Sequence, residues 1–168
     1  VVGLWGACAQ RASRAKNPAS PQNTSLFFGH TRAFKGLDIA LAAWKKLKTD
    51  VTLVVAGEPW FGFKATAQPN IRFELRFIPD AEVARYFDEA DVVIAPYRTE
   101  AQSGVAMTAF HFGKPVIATR VGGLPESIHG RHGMLIPPAA PPATAPGVRG
   151  FSPTPARQAC ARPAARWG

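Results

Sequence analysis

Two short runs of small and β-branched apolar residues constrain the fold of this chain more than any other feature. They are VTLVVA at 51–56 and VVIA at 92–95, each bounded by Gly, Pro or Asp. Such continuous runs are typical of strands buried on both faces of a parallel sheet. Shorter apolar runs at 26–28, 116–118 and 134–136 predict three further strands. Residues 71–77 alternate between apolar and polar, which predicts a strand at an edge or with one wet face.

Segments with helical periodicity separate these strands. The first has one apolar stripe, formed by Leu37, Ala40, Leu41, Trp44 and Leu47. A second helix is predicted to start at Asp80, with Asp80 as its N-cap, and a third at 105–112. The alternation of strands and helices predicts the α/β class, with a doubly wound and mostly parallel sheet.

In such sheets, ligands bind at the carboxyl ends of the strands, where the loops that follow the strands meet. Four loops of this chain are therefore expected to gather along one edge of the sheet. They are 29–36, 57–63, 97–104 and 119–126.

The stretch YRTEAQSGVAMTAFHFGKP at 97–115 predicts an anion site at the start of the third helix. Ser103 is the predicted N-cap, so the amides of Gly104 and Val105 stay available to a ligand. The helix dipole favours negative charge there, and a Gly at 104 lets a phosphate approach closely. The alternative is an ordinary capped helix without a ligand.

The net charge of +9 lies mainly in the two ends of the chain. Residues 1–23 and 139–168 contain no acid, so the basic balance does not predict a nucleic-acid partner. Both cysteines, Cys8 and Cys160, also lie there, and no disulfide framework or metal site is predicted. We expect 1–23 to be an irregular lead-in and 24–138 the folded domain. We expect 139–168, rich in Ala, Pro and Arg, to be a disordered tail or sequence that is not native to the domain. The chain lacks a first Met, so we expect it to begin within a longer protein.

Several motifs occur in an order and at a spacing that resemble a known family. GHTRAFKGLD at 29–38 and ADVVIAPYRTEAQSGVAMTAFHFGKPVIATRVGGLPE at 90–126 carry the likeness. They resemble the C-terminal, donor-binding half of GT-B glycosyltransferases of family 4, the glycosyl transferases group 1. The resemblance implies a Rossmann-like half of a GT-B fold. It also implies retaining transfer of a sugar from a nucleotide-sugar, with no metal and no cofactor.

The resemblance implies roles for two residues around the third helix. The family places one Glu beside the donor sugar and another at the ribose hydroxyls. Glu100 matches the first, but Thr108 occupies the second position, where it offers one hydrogen bond in place of a bidentate carboxylate. In this respect the chain resembles a subgroup with Gln-Ser-Gly-Val at 102–105.

The loop at 29–36 is implied to hold the leaving diphosphate. Lys35 and Arg32 are the candidate cations, because preorganised positive charge lowers the barrier to breaking the sugar–phosphate bond. Gly29 is implied to approach the donor; the family has Arg after this Gly, where this chain has His30. Glu126 would bind sugar hydroxyls or cap the following turn, and both interpretations stay open. Solvated loop side chains are the alternative for Lys35 and His30.

The sequence therefore predicts the donor-binding domain of a glycosyltransferase, with its N-terminal acceptor domain absent from this chain. We expect the chain to bind a nucleotide-sugar and to transfer nothing alone. A cytoplasmic location is expected, and association of the parent enzyme with a membrane surface stays open. So do two other functions: a non-catalytic nucleotide-sugar-binding module, and a nucleotide-sugar hydrolase or epimerase of the same fold. A dinucleotide enzyme is disfavoured, because no Gly-x-Gly-x-x-Gly follows the first predicted strand.

The tetrapeptide Asp88-Glu89-Ala90-Asp91 matches a helicase motif. No Gly-Lys-Ser/Thr phosphate loop precedes it, so we do not infer a helicase. We expect these acids to lie on the solvated face at a helix end.

Overall fold

The computed structural model describes residues 23–47, 50–59, 63, 65–99, 102–128 and 133–138. The strands are β1 (Thr24–Phe28), β2 (Thr52–Ala56), β3 (Ile71–Glu74), β4 (Val92–Ala95), β5 (Val116–Thr119) and β6 (Gly133–Ile136). The helices are α1 (Leu37–Lys46), α2 (Asp80–Glu89), α3 (Gly104–His111) and α4 (Leu124–Ser127), with a 3-10 turn at Ala33–Lys35. Among these helices none has the length and apolar character of a membrane span. The predictions for 1–22 and 139–168 lie outside the described residues.

The six strands form one parallel sheet in the order β3-β2-β1-β4-β5-β6. The order reverses between β1 and β4, so the loops that follow these two strands diverge and leave a crevice at their carboxyl ends. The predicted doubly wound, parallel α/β fold is thereby confirmed. The predicted place of β3 at an edge is confirmed as well.

Both faces of the sheet are buried, as the apolar runs predict. The described residues form two hydrophobic cores, and consecutive residues of β1 belong to different ones. Leu26 shares one core with Phe87 of α2, and Phe27 shares the other with Trp44 of α1. The α1 stripe is buried except at Leu41, which is only partly covered. α1 thus covers one face, and α2, α3 and α4 cover the other.

The predicted bounds of α2 and β3 are wrong. Asp80 is not the cap of α2, because Pro79 occupies the N-cap position and no side chain caps the helix; Asp80 is the first helical residue. Its carboxylate still lies where the helix dipole favours negative charge. β3 ends at Glu74 instead of residue 77, because Glu74 pairs with Ala56, the last residue of β2, and the strand has no partner beyond it.

Asp91 is also not the solvated acid that the sequence suggested. Its side chain is buried, and its Oδ2 accepts a hydrogen bond from the Thr24 amide at 2.7 Å. The Asp91 amide donates to the Thr24 carbonyl at 2.7 Å. This pair of bonds joins the start of β4 to the start of β1, and so fixes the register of the two strands that flank the crevice.

Charged side chains surround the end of the edge strand β3. The Tyr86 hydroxyl donates to Glu74 Oε2 at 2.5 Å, Arg85 Nη2 lies 3.7 Å from the same oxygen, and Arg76 pairs with Glu82. Burial, reinforced by the bond to Glu74, raises the pKa of Tyr86 above its ordinary value, so the phenol remains a donor. Charge of this density discourages a second chain from pairing with the edge.

Gly36→Ala is expected to destabilise the protein. Gly36 has φ 69°, and a Cβ there would lie 2.0 Å from the carbonyl oxygen of Pro96. The left-handed backbone alone costs an L-residue about 1–2 kcal/mol, and the overlap adds to this cost. Urea titration should show a lower free energy of unfolding.

Gly104→Ala is the matched control, because no heavy atom lies within 4 Å of a Cβ built there. In the middle of a helix, replacing Gly by Ala raises stability by about 0.5–1 kcal/mol; Gly104 is the first residue of α3, so we expect a smaller gain and no loss. Equal unfolding free energies for the two variants would contradict the close approach of Gly36 to Pro96.

Candidate functional site

The N-terminus of α3 has the capped geometry that the sequence predicted. Ser103 is the N-cap, and its Oγ accepts a hydrogen bond from the Ala106 amide at 3.2 Å. The helix begins at Gly104, one residue earlier than predicted. The amides of Gly104 and Val105 have no acceptor within the helix, because they belong to its first turn. A Cβ on Gly104 would face open space, so this end of the helix is accessible.

A buried relay of hydrogen bonds holds the cap in place. The Tyr97 hydroxyl lies 3.2 Å from Ser103 Oγ, and the Tyr97 carbonyl accepts from Thr119 Oγ1 at 2.5 Å. All three residues are buried. Sequence reasoning missed Tyr97 and Thr119, and the available signal was their position: Thr119 is the last residue of β5, and Tyr97 follows the end of β4 by two residues.

The structure brings Lys35 to the same place. A Cβ on Gly29 would lie 3.0 Å from Lys35 Nζ and 3.8 Å from Val105 Cγ2. The ammonium group therefore lies over the end of β1, beside the first turn of α3. Two predicted site residues, Lys35 and Val105, thus both have a side chain next to Gly29, at the point where the strand order reverses.

Arg98 fixes the 3-10 turn that ends in Lys35. Its amide donates to the Phe34 carbonyl at 2.7 Å, and its Nη1 donates to the Ala33 carbonyl at 2.8 Å. Its guanidinium also binds both carboxylate oxygens of Asp38, at 2.9 and 2.5 Å. Sequence reasoning missed Arg98 and Asp38, because nothing local pairs residues that are 60 positions apart.

The Arg98–Asp38 pair is fully charged at neutral pH. Hydrogen bonding from Arg98 lowers the pKa of the Asp38 carboxyl below its ordinary value of 3.8, and the same bond raises the pKa of Arg98. A carboxyl whose pKa is lower in the folded state than in the unfolded state stabilises the fold at pH values above its unfolded-state pKa. That contribution is lost as the pH falls through the folded-state pKa.

His30 lies on the β2 side of β1. Its Nε2 is 3.3 Å from Glu58 Oε2, and both side chains are about half exposed. The Thr31 amide donates to the Glu58 carbonyl at 3.1 Å. The loops that follow β1 and β2 are therefore adjacent, as predicted, but the described contact of the His30 ring is with Glu58 and not with α3.

The remaining predicted residues lie around this centre. Thr108 Oγ1 donates to the Gly104 carbonyl at 2.8 Å, so only its lone pairs remain to bind a ligand. Arg32 is exposed at the start of the 3-10 turn, and Glu126 is exposed on α4. Glu100 lies outside the described residues. Within the described part of the chain, no three His, Cys, Asp or Glu side chains group together so that they could hold a metal ion.

Comparisons with known proteins point to one family. The profile described as Glycosyl transferases group 1 matches residues 22–150. A D-inositol 3-phosphate glycosyltransferase from Pseudarthrobacter chlorophenolicus is 34% identical over 133 residues, which span 66% of this chain and 30% of that protein. Its namesake from Segniliparus rotundus is 31% identical over 156 residues, which span 83% of this chain and 34% of that protein. The chain thus spans about a third of the length of these curated relatives.

Solved structures share the fold. Sucrose-phosphate synthase from Thermosynechococcus elongatus matches with a TM-score of 0.73 at 24% identity, over 84% of this chain and 39% of that one. Anabaena HepE in complex with UDP matches at 0.70 and 21% identity, over 84% and 43%. The C-terminal domain of LpcC, a glycosyl transferase group 1 family protein from Francisella tularensis, matches at 0.67 and 22% identity, over 85% and 82%.

These matches agree with the strand order and with the resemblance found in the sequence. The fold is a Rossmann-like α/β domain of the kind that forms one half of a GT-B glycosyltransferase. The profile match extends over most of the chain, so the predicted family is confirmed. This chain belongs to the glycosyl transferases group 1 family.

Proposed function

We propose that this chain is the donor-binding half of a glycosyltransferase, and that it holds the diphosphate of a nucleotide-sugar in the crevice between β1 and β4. The observation that carries the proposal is the position of Lys35 Nζ, which lies beside Gly29 at the end of β1, where the side chain of Val105 and the accessible N-terminus of α3 are also close. Backbone amides and a nearby ammonium together form a site for a phosphate group. The solved complexes of HepE with UDP and with UDP-glucose give the proposal further support.

Charge stabilisation is the chemistry that this geometry would supply. When the bond between the sugar and the phosphate breaks, its electron pair leaves with the diphosphate, whose negative charge increases. Donors already aimed at that charge stabilise it without reorganising. In this proposal the amides of Gly104 and Val105 and the ammonium of Lys35 contact the phosphates, and Arg32 adds a guanidinium fork that can bind two phosphate oxygens.

The finer parts of the proposal rest on the resemblance in the sequence. We infer retaining transfer without a metal or another cofactor, with Glu100 beside the donor sugar. Gly29 and His30 would lie along the donor, Thr108 near the ribose and Glu126 near the sugar hydroxyls. We place the parent enzyme in the cytoplasm.

A transferase also needs a second substrate. The chain spans about a third of the curated relatives, so we assign the acceptor site to another part of the parent enzyme. On this view the chain alone binds the donor but does not complete the reaction.

Lys35→Ala is expected to weaken the binding of UDP, by about 1.5–3 kcal/mol, the range for a hydrogen bond to a charged group. Isothermal calorimetry of the full chain would measure this loss in a buffer that contains EDTA. Lys45→Ala is the matched control, because Lys45 is an exposed lysine in the last turn of α1. It should bind UDP like the wild type.

Three results would contradict parts of this proposal. If Lys35→Ala and the wild type bind UDP equally well, Lys35 does not contribute to the site. A wild type that binds no nucleoside diphosphate would refute donor binding. Binding that appears only when Mg²⁺ is added would refute the metal-independent form of the site.

Gly104→Ala tests the helix N-terminus separately from the cations. The added methyl group would enter the open space beside the first-turn amides, where the proposal places a phosphate. We expect UDP to bind at least about tenfold more weakly, since the methyl keeps the phosphate from its charge-assisted bonds. Calorimetry measures the affinity, and urea titration confirms an intact fold. Unchanged affinity for UDP would contradict the proposed position of the phosphate at the N-terminus of α3.

The chain alone is expected to transfer no sugar. Incubation with UDP-glucose and inositol 3-phosphate, followed by chromatography of the nucleotides, should show UDP-glucose unchanged from a protein-free control. These reagents are chosen from the names of the HepE complex and of the curated relatives. Release of UDP in several turnovers per chain, with a glycosylated product, would overturn the assignment of the acceptor site to another part of the enzyme.

A further inference from the structure

We propose that Arg98 and Asp38 are positioning residues, which hold the Lys35 turn (the 3-10 turn Ala33–Lys35) at the phosphate site. The inference rests on the proposed donor-binding function. It extends that function to two residues that need not contact the ligand. Their role would be to place the Lys35 ammonium beside the first turn of α3.

Arg98 binds the Lys35 turn through both its main chain and its side chain. The amide donates to the Phe34 carbonyl at 2.7 Å, and Nη1 donates to the Ala33 carbonyl at 2.8 Å. These two carbonyls directly precede Lys35. A guanidinium is planar and presents several donors in a fixed fork, so it can bind a carbonyl and a carboxylate at once. The guanidinium is itself held by both oxygens of Asp38.

Contacts from outside can contribute much to the position of the Lys35 turn. It is one short 3-10 segment, a structure with poor hydrogen-bond geometry, and none of its three residues is buried. The Phe34 ring meets the Tyr97 ring edge-on, with centroids 6.5 Å apart. Residues 97 and 98, which follow β4 after Pro96, thus both contact this turn.

The same two residues fix the other half of the phosphate site. Tyr97 holds Ser103, the cap of α3, and Arg98 holds the turn that carries Lys35. One short segment therefore sets the distance between the cation and the helix amides. A displacement of the turn would leave the α3 N-terminus intact but would move the Lys35 ammonium away from the helix amides.

The exposure of the ion pair makes a functional role separable from a structural one. The side chain of Arg98 is 43% exposed and that of Asp38 is 66% exposed. Exposed ion pairs contribute little to global stability. Substitution of Arg98 should therefore change the position of Lys35 much more than it changes the unfolding equilibrium.

The experiment compares Arg98→Gln, Arg98→Lys and Asp38→Asn with the wild type by UDP calorimetry and urea titration. Arg98→Gln should weaken UDP binding by about tenfold, within the range of one charge-assisted hydrogen bond, with the urea midpoint almost unchanged. Arg98→Lys should not restore the affinity, because an ammonium cannot bind Ala33 and Asp38 as a fork does. Asp38→Asn should weaken binding to a smaller extent.

Arg85→Gln is the matched control, because Arg85 is similarly exposed and also forms ion pairs, with Glu74 and Glu89. It should bind UDP like the wild type. The decisive variant is the double substitution of Lys35→Ala and Arg98→Gln. If Arg98 acts through Lys35, the double variant should bind no more weakly than Lys35→Ala alone, since coupled residues are not additive.

Hydrogen exchange tests the same inference without a ligand. The amides of Lys35 and Gly36 donate within the turn, to Arg32 and Ala33. Both should exchange faster in Arg98→Gln than in the wild type or Arg85→Gln. A wild type that binds no UDP would refute the proposed function, and exchange would still show whether Arg98 holds the turn.

Three outcomes would overturn the inference itself. Unchanged exchange at Lys35 and Gly36 would show that Arg98 does not hold the turn. Faster exchange with unchanged UDP affinity would show that the position of the turn does not affect the site. Additive losses in the double variant would show that Arg98 acts on the ligand independently of Lys35.

Discussion

The close approach of two backbone segments, just beyond β1 and β4, is the constraint on which the rest of the site depends. Gly36 lies so near the Pro96 carbonyl that a Cβ would overlap it, and the Arg98 amide reaches the Phe34 carbonyl. Both segments leave the carboxyl ends of adjacent parallel strands. Their contact therefore follows from the strand order. The main chain thus determines the approximate positions of the site groups, and side-chain contacts add to this.

Buried hydrogen bonds connect the sheet to the N-terminus of α3. Thr119 at the end of β5 binds the Tyr97 carbonyl, and the Tyr97 hydroxyl reaches Ser103 at the start of α3. Satisfied polar networks of this kind specify one arrangement, because each unpaired member would be costly. The first-turn amides of α3 are consequently fixed relative to the sheet, which is what a preorganised anion site requires.

The sequence predicted the parts of this structure that depend on local pattern. Buried strands follow from β-branched runs, and Ser103 was recognised because a Ser-Gly pair precedes an amphipathic helix. Arg98 was missed because its partners come from a loop that only the folded sheet brings near. Two acids were predicted incorrectly. Pro79, and not Asp80, takes the cap position of α2. The buried carboxylate of Asp91 accepts a hydrogen bond from the Thr24 amide of β1. Tertiary context decided the cases of Arg98 and Asp91, whereas the helix start at Asp80 was misassigned by one residue.

The distribution of acids among the helices supports a phosphate as the proposed ligand of this crevice. In the described part of the chain, α1, α2 and α4 each carry an acid in the first turn, whereas α3 carries none. A carboxylate there would offset the partial positive charge of the helix N-terminus. Among the described residues at this helix, Ser103 and Thr108 are neutral, and the hydroxyl of Thr108 donates to its own helix. The positive end of α3 is therefore left for a ligand to neutralise, beside the ammonium of Lys35. The arrangement favours an anion over an uncharged sugar or base, which is the physical reason for proposing that the site binds the diphosphate.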